Sequence, residues 1–177
     1  MRRQHLDPGL PVCGRGLKKG DPQEPPDHAL GRSRGGWGTK LHLLCDRGGI
    51  PLGFFLTPGQ SSECRAFEPL MQSVGAQRVL SPPAKLAGDK AYSFWPVLRW
   101  LKRRRIEPVI PKRSDQTSTR FGGPFDRRAY RRRNIIERLV GWLKHRRRLA
   151  TRFEKLATRF AAMVRMAFLE IYFKVVF

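Results

Sequence analysis

The sequence predicts a mixed α/β fold, one sheet covered by helices, and three stretches carry that prediction. Thr39–Cys45 and Ile50–Thr57 are rich in strand-forming residues and flank Asp46–Gly49, whose glycines supply the positive φ that a tight turn needs. Ala84–Gly88 and Ile106–Ile110 read as strands on either side of a helical stretch, the order of a parallel βαβ unit. From Asp126 to the C-terminus the apolar positions recur at helical spacing. The chain has 177 residues, enough for one domain around one core.

Residues 1–38 are rich in proline and glycine and lack apolar periodicity, so they read as a flexible basic segment. Its end, "DHALGRSRGGWG" (Asp27–Gly38), reads either as a solvated linker or as an arm that sets Arg32 and Arg34 against phosphate. Order begins at the hairpin, which also carries Lys40. "SSECRAFEPLMQSVG" then offers a Ser61/Ser62 cap and apolar positions at Phe67, Leu70, Met71 and Val74, an amphipathic helix. After the strand Ala84–Gly88, Ser93 is the expected cap of a helix to about Arg105, with Pro96 in its first turn. Asp89 stands just past the strand's carboxyl end, where ligands of such sheets collect. A turn-capping aspartate is the alternative there. Arg113–Asp126 is a loop, and the helical region beyond it breaks near Ala150–Arg152 before an apolar helix from Phe153. The expected division is 1–38, a core at 39–152, and a C-terminal helix at 153–177 packed on that core.

Charge narrows the function. There are 36 Lys and Arg against 14 Asp and Glu, a formal net charge of +22, and the sequence pI is near 11.4. An excess of that size repels itself in a compact fold and calls for a polyanionic partner. A membrane fits less well, because the most apolar stretch, Phe160–Phe177, is interrupted by Arg165, Glu170 and Lys174. No apolar run follows Arg2 and Arg3, so no secretory signal is visible. Cys13, Cys45 and Cys64 are far apart with no CxxC, which suits a reducing cytoplasm and argues against a zinc ribbon.

One segment is chemically specific. "AYRRRNIIERLVGWLKHRRR" (Ala129–Arg148) holds a single acid, Glu137, among many cations. On a helix with Tyr130 at zero, Arg133 falls near ~300°, Glu137 near ~340° and Lys144 near ~320°, within an arc of about 60°. Ile135, Ile136, Leu139, Trp142 and Leu143 take the opposite side. An ordinary ion pair explains Arg133 beside Glu137, worth a few tenths of a kcal/mol, roughly. It leaves unexplained a carboxylate among phosphate-binding charges. A divalent ion held by Asp and Glu oxygens, and gripping phosphate in turn, would explain it.

The spacing Y-x2-R-x3-E-x6-K (Tyr130, Arg133, Glu137, Lys144) resembles the signature of DDE transposases of bacterial insertion sequences. "DHALGRSRGGWGTKLHLLCDRGGIPLGFFLTPGQ", "AGDKAY", "IEPVIPKR" and "RRNIIERLVGWLKHRRRLATRFEKLA" resemble, in order, segments of the insertion-sequence-five group. The resemblance covers about Asp27 to the C-terminus and implies a ribonuclease-H-like catalytic domain. Its three carboxylates would hold two divalent ions, Mg²⁺ or Mn²⁺, for strand cleavage and transfer in DNA transposition. By position Asp89 would be the second carboxylate and Glu137 the third, both metal ligands and catalytic. Tyr130, Arg133 and Lys144 would support the site. Arg32, Arg34, Lys40, Arg103, Arg104, Arg105, Arg131, Arg132, Arg146, Arg147 and Arg148 would bind DNA.

The family's first Asp has no match. Asp7, Asp27 and Asp46 sit in turn-like contexts. The expectation is therefore a truncated copy, the second frame of a split element or a mis-started gene, lacking most of the first strand and not cutting DNA by itself. A catalytically inactive DNA-binding relic and a non-enzymatic nucleic-acid-binding protein are the alternatives. Expected partners are DNA, at transposon ends and target, and either a second copy or a separately encoded N-terminal portion. No membrane and no small-molecule cofactor is expected, and the expected location is the bacterial cytoplasm, at the nucleoid.

Overall fold

The structure is a computed structural model that describes residues 4–5, 28–75, 82–113 and 125–176. Among them the α/β expectation holds in its broad form, with short strands followed by a helical C-terminal region. The strands are β1 (Gln4–His5), β2 (Gly31–Ser33), β3 (Gly36–Cys45), β4 (Pro51–Pro58), β5 (Lys85–Ala87) and β6 (Glu107–Val109). The helices are α1 (Glu63–Gly75), α2 (Trp95–Arg103), α3 (Arg127–Arg132), α4 (Asn134–Lys144), α5 (Arg147–Thr151) and α6 (Ala157–Val176). By contacts the chain divides into two compact units. One holds Leu43–Phe55 and Ser62–Glu137; the other holds Arg3–His42, Leu56–Ser61 and Arg138–Phe177.

The strands do not form the single sheet expected. Among the described residues, β4 and the pair β1 and β2 all join β3 in one sheet, and β5 pairs with β6 in another. The hairpin β3–β4 is as the sequence predicts. Asp46 accepts from Gly48 N and Ile50 N at 2.8 Å each, and Gly49 takes φ +89°. Asp46 is thus a turn residue. β1 and β2 run antiparallel to β3, with Gln4 opposite Leu41 and Arg32 opposite Trp37. Residues 31–38, read from composition as part of a flexible segment, are therefore strand and turn. Backbone pairing with a neighbouring strand supplies order that glycine-rich composition hides.

In the first unit, β5 and β6 are parallel, Lys85 opposite Glu107 and Ala87 opposite Val109, with α2 between them in sequence. The βαβ reading is correct. The core joins Phe67 and Leu70 of α1, Leu86 of β5, Tyr92 ahead of α2, Val97 and Leu101 within α2, and Ile106 and Ile110. Phe67 meets the Trp100 ring edge-on at 5.3 Å. Pro96 lies in the first turn of α2 as expected. Ser93 does not cap it. A 3₁₀ turn, Lys90–Tyr92, intervenes, Ser93 closes that turn, and Phe94 takes the N-cap position without a side-chain bond.

In the second unit, α6 buries Phe160, Val164, Ala167 and Phe168, the spacing of one helical face. The long helix read for Ala129–Arg148 is three helices, interrupted at Arg133 and at His145–Arg146. The break near Arg152 is observed, and α6 starts at Ala157 rather than Phe153. Arg152 causes it, in the left-handed region at φ +44° and 2% exposed. Its guanidinium donates to the carbonyls of His28, Ala29, Glu154 and Lys155 and to Thr39 Oγ1, and Thr39 in turn donates to Ala29 O at 2.6 Å. The carbonyl dipoles and the Thr39 hydroxyl around the guanidinium offset the cost of burying its charge.

Candidate functional site

Asp89 is held at the end of β5 by backbone contacts on both sides. Gly88 N donates to Val109 O at 3.3 Å, extending the β5–β6 ladder to the residue before it. Asp89 Oδ1 accepts from Ala91 N at 2.8 Å and Asp89 O from Tyr92 N at 3.1 Å, the 3₁₀ turn that follows. Tyr92 is anchored in the core, and Cys64 Sγ of α1 donates to Ala91 O at 3.1 Å. The turn-capping role of Asp89 is therefore real. It uses only Oδ1. Oδ2 makes no hydrogen bond among the described residues, and the side chain is half-buried beside a strand terminus.

Glu137 lies in the first turn of α4, in the same compact unit as Asp89. Arg133 Nη2 donates to Glu137 Oε1 at 3.1 Å, with side-chain exposures of 15% and 28%. The same guanidinium stands 5.1 Å from the centroid of the Tyr130 ring, which packs against Phe125 at 5.3 Å. Three of the four signature residues thus form one chain of contacts. The break at Arg133 does not scramble them, because that residue keeps α-region angles and its N–H bonds back to Tyr130 O. Arg133 lines a largely apolar cavity of about 930 Å³, together with Arg132, Ile135, Leu86 and Ala87. Its Nε and Nη1 are buried without a hydrogen-bond partner among the described residues, donors that a phosphate or carboxylate would satisfy. Lys144 is exposed in the last turn of α4 and is grouped with the second unit.

Among the basic residues expected to hold DNA, Arg32, Arg34, Arg103, Arg104, Arg105, Arg131, Arg132, Arg147 and Arg148 are exposed. Lys40 is not available. It is 5% exposed and its Nζ donates to Ser61 O at 2.5 Å, because it sits on the buried middle of β3. Arg146 is half-buried, paired with Glu170 and stacked 4.3 Å from the centroid of the Trp142 ring. Arg104 covers Trp100 at 3.7 Å. Burial pushes the Cys45 thiol up to about 11, which keeps it protonated at neutral pH.

Sequence reasoning missed Arg152 and Glu63, the latter 3% exposed at the first residue of α1, where the helix's positive end favours a carboxylate. Neither announces itself locally. Arg152 looks like one more cation in a basic run, and its partners lie far off in sequence. Asp7 and Asp27 lie outside the described residues. Among the described residues, no three His, Cys, Asp or Glu side chains come together as a metal-holding group. No described helix is long and apolar enough to cross a membrane.

Residues 9–169 match the family of transposase DDE domains. The chain belongs to that family. It is 31% identical over 134 residues to the protein assigned as transposase for insertion sequence element IS402 of Burkholderia cepacia, 73% of this chain and 60% of that protein. It is 31% identical over 129 residues to the one assigned for element IS6501 of Brucella ovis, 73% of this chain and 93% of that protein. The chain thus spans about 60% of the length of the first of these relatives. No solved structure matches it. DDE transposases generally work with divalent metal ions. The donor chemistry here suits such an ion, since Asp89 keeps one carboxylate oxygen free of hydrogen bonds among the described residues and both acids offer hard oxygen.

Proposed function

We propose that the chain acts in DNA transposition through a ribonuclease-H-like core of the insertion-sequence-five type, with Asp89 and Glu137 as two of its metal-binding carboxylates. The observation that carries this reading is the linked set Tyr130–Arg133–Glu137 in the same unit as Asp89, whose Oδ2 makes no hydrogen bond among the described residues. Divalent ions held there would neutralise phosphate charge and activate water or a 3′-hydroxyl for attack on a phosphodiester. Arg133 orients the Glu137 carboxylate through one hydrogen bond and keeps two donors for an anion. Exposed Arg131 and Arg132 precede it on the chain and serve as phosphate contacts, as does Lys144 on this reading.

Metal binding tests this without requiring turnover. Titrating Mn²⁺ into the protein by calorimetry or electron paramagnetic resonance should give a site whose affinity falls at least about tenfold in Glu137→Gln, the loss of one of two charged ligands. Arg133→Met should weaken it less. Unchanged Mn²⁺ affinity in both Asp89→Asn and Glu137→Gln would remove these residues from the metal site.

A further inference from the structure

The hairpin formed by β2 and the start of β3 has two unlike faces. Of its six paired residues, Gly31, Ser33, Gly36 and Gly38 are small, and only Arg32 and Trp37 are large. The glycine side is closely packed. Gly59 N donates to Gly38 O at 3.0 Å, and a Cβ added to Gly59 would stand 2.7 Å from Gly31 O. A Cβ on Gly31 would run into the Gln60 side chain. The tip is also fixed, since Ser33 Oγ donates to Gly36 O at 3.1 Å and accepts from Gly35 N at 3.3 Å. Behind the hairpin, Thr39 and Ala29 are tied to buried Arg152. Arg32 and Trp37 are directly opposite in the ladder, so they leave the same face of the ribbon. Both are exposed, Trp37 at 60%, and exposed Arg34 occupies the turn.

A rigid ribbon that holds its largest apolar ring in water, with a guanidinium opposite and another at the tip, is arranged for a ligand that is flat and anionic together. We propose that Trp37 is a stacking platform for an unpaired DNA base, with Arg32 and Arg34 holding the phosphates that flank it. This rests on the DNA reading above and adds what the second unit recognises. A base inside a paired duplex keeps its faces covered by its neighbours, whereas an extrahelical base has a free face for the indole. A protein partner would use the ring equally well but would give the two arginines no fixed counterpart.

The test uses two duplexes identical except that one carries an extra, unpaired 2-aminopurine. Wild type should bind the bulged duplex about tenfold more tightly than the paired one and quench the 2-aminopurine emission, as an aromatic stack does. Trp37→Ala should lose the preference and the quench while affinity for the paired duplex stays within about twofold, because phosphate contacts carry that term. Trp37→Phe should keep part of both. Circular dichroism and the melting temperature of each variant show that the fold is intact. Retained preference in Trp37→Ala overturns the proposal, and so does an equal loss on both duplexes. Failure of the wild type to bind either duplex would instead overturn the DNA reading itself.

Discussion

Two arginines, one in each unit, show how differently a very basic chain spends the same side chain. Arg152 in the second unit is buried with all three guanidinium nitrogens engaged, on four carbonyls and a hydroxyl. Arg133 in the first unit is half-buried, its side chain 15% exposed, yet it makes one bond, to Glu137, and its buried Nε and Nη1 have no hydrogen-bond partner among the described residues. A buried donor without an acceptor costs roughly 1–3 kcal/mol. Such a cost at Arg152 would be a defect in a structural joint. At Arg133 it fits the proposed site, in which a phosphate or carboxylate from outside would supply the acceptor. The same division separates Lys40, whose ammonium is used up on Ser61 O, from the exposed Arg131 and Arg132.

The largest expected effect breaks that comparison directly. Arg152→Met should destabilise the protein by about 3 kcal/mol or more, since five acceptors lose a donor and the left-handed residue loses its reason to be there. Arg133→Met should change stability by less than about 1 kcal/mol, because the lost half-buried ion pair is offset by removal of two orphan donors. Urea denaturation of both variants measures the difference. Equal losses would mean that Arg133 is as structural as Arg152, and the functional interpretation of its orphan atoms would fall.

How far the sequence reaches follows from which interactions are local. The β3–β4 hairpin was legible because Asp46 and Gly49 act on their own turn. The βαβ order and the Arg133–Glu137 pair were legible for the same reason, helical spacing and strand patterning being properties of short windows. Lys40 and Arg152 were not legible. Their burial depends on partners such as Ser61 and His28, which no local pattern identifies. Ser93 failed as a cap because an intervening 3₁₀ turn starts at the carboxylate of Asp89. The residue singled out for chemistry thus displaced the one singled out for structure.

Asp89 offers a sharper test, because Asp126 in the same unit is its structural twin. Both accept from a backbone N–H through Oδ1 at 2.8 Å, Asp89 from Ala91 and Asp126 from Ala129. Asp126 spends its second oxygen on Lys85 Nζ at 3.0 Å, while Asp89 spends Oδ2 on nothing among the described residues. Asp89→Ala should cost about 1 kcal/mol, the usual loss of a capping acceptor, and Asp89→Asn less than about 0.5 kcal/mol, since an amide oxygen still caps. If the proposed site is right, Asn should nevertheless lose Mn²⁺ binding about as fully as Ala. An Asn variant that keeps the metal would reduce Asp89 to a second Asp126.

The smallest expected effect is the pH dependence that Asp126 should carry and its partner's chemistry explains. The Ala129 N–H, and after it the Lys85 ammonium, hold the Asp126 carboxyl below its usual 3.8. A depressed folded-state value contributes stability above the unfolded-state value, and that stability is lost as pH falls through the folded one. Asp126→Asn keeps the capping oxygen but removes the charge, so the wild type should melt higher at neutral pH. The gap should close as pH drops through and below the ordinary carboxylate range. Lys85→Met should remove part of the same gap at neutral pH, though Lys85 also pairs with Glu107 at 3.2 Å and that exposed contact adds little. Melting curves of the three proteins across pH decide it. A gap that stays constant into acid would show that Asp126 acts through its hydrogen bonds alone, and the distinction from Asp89 would then rest on the free oxygen and not on charge.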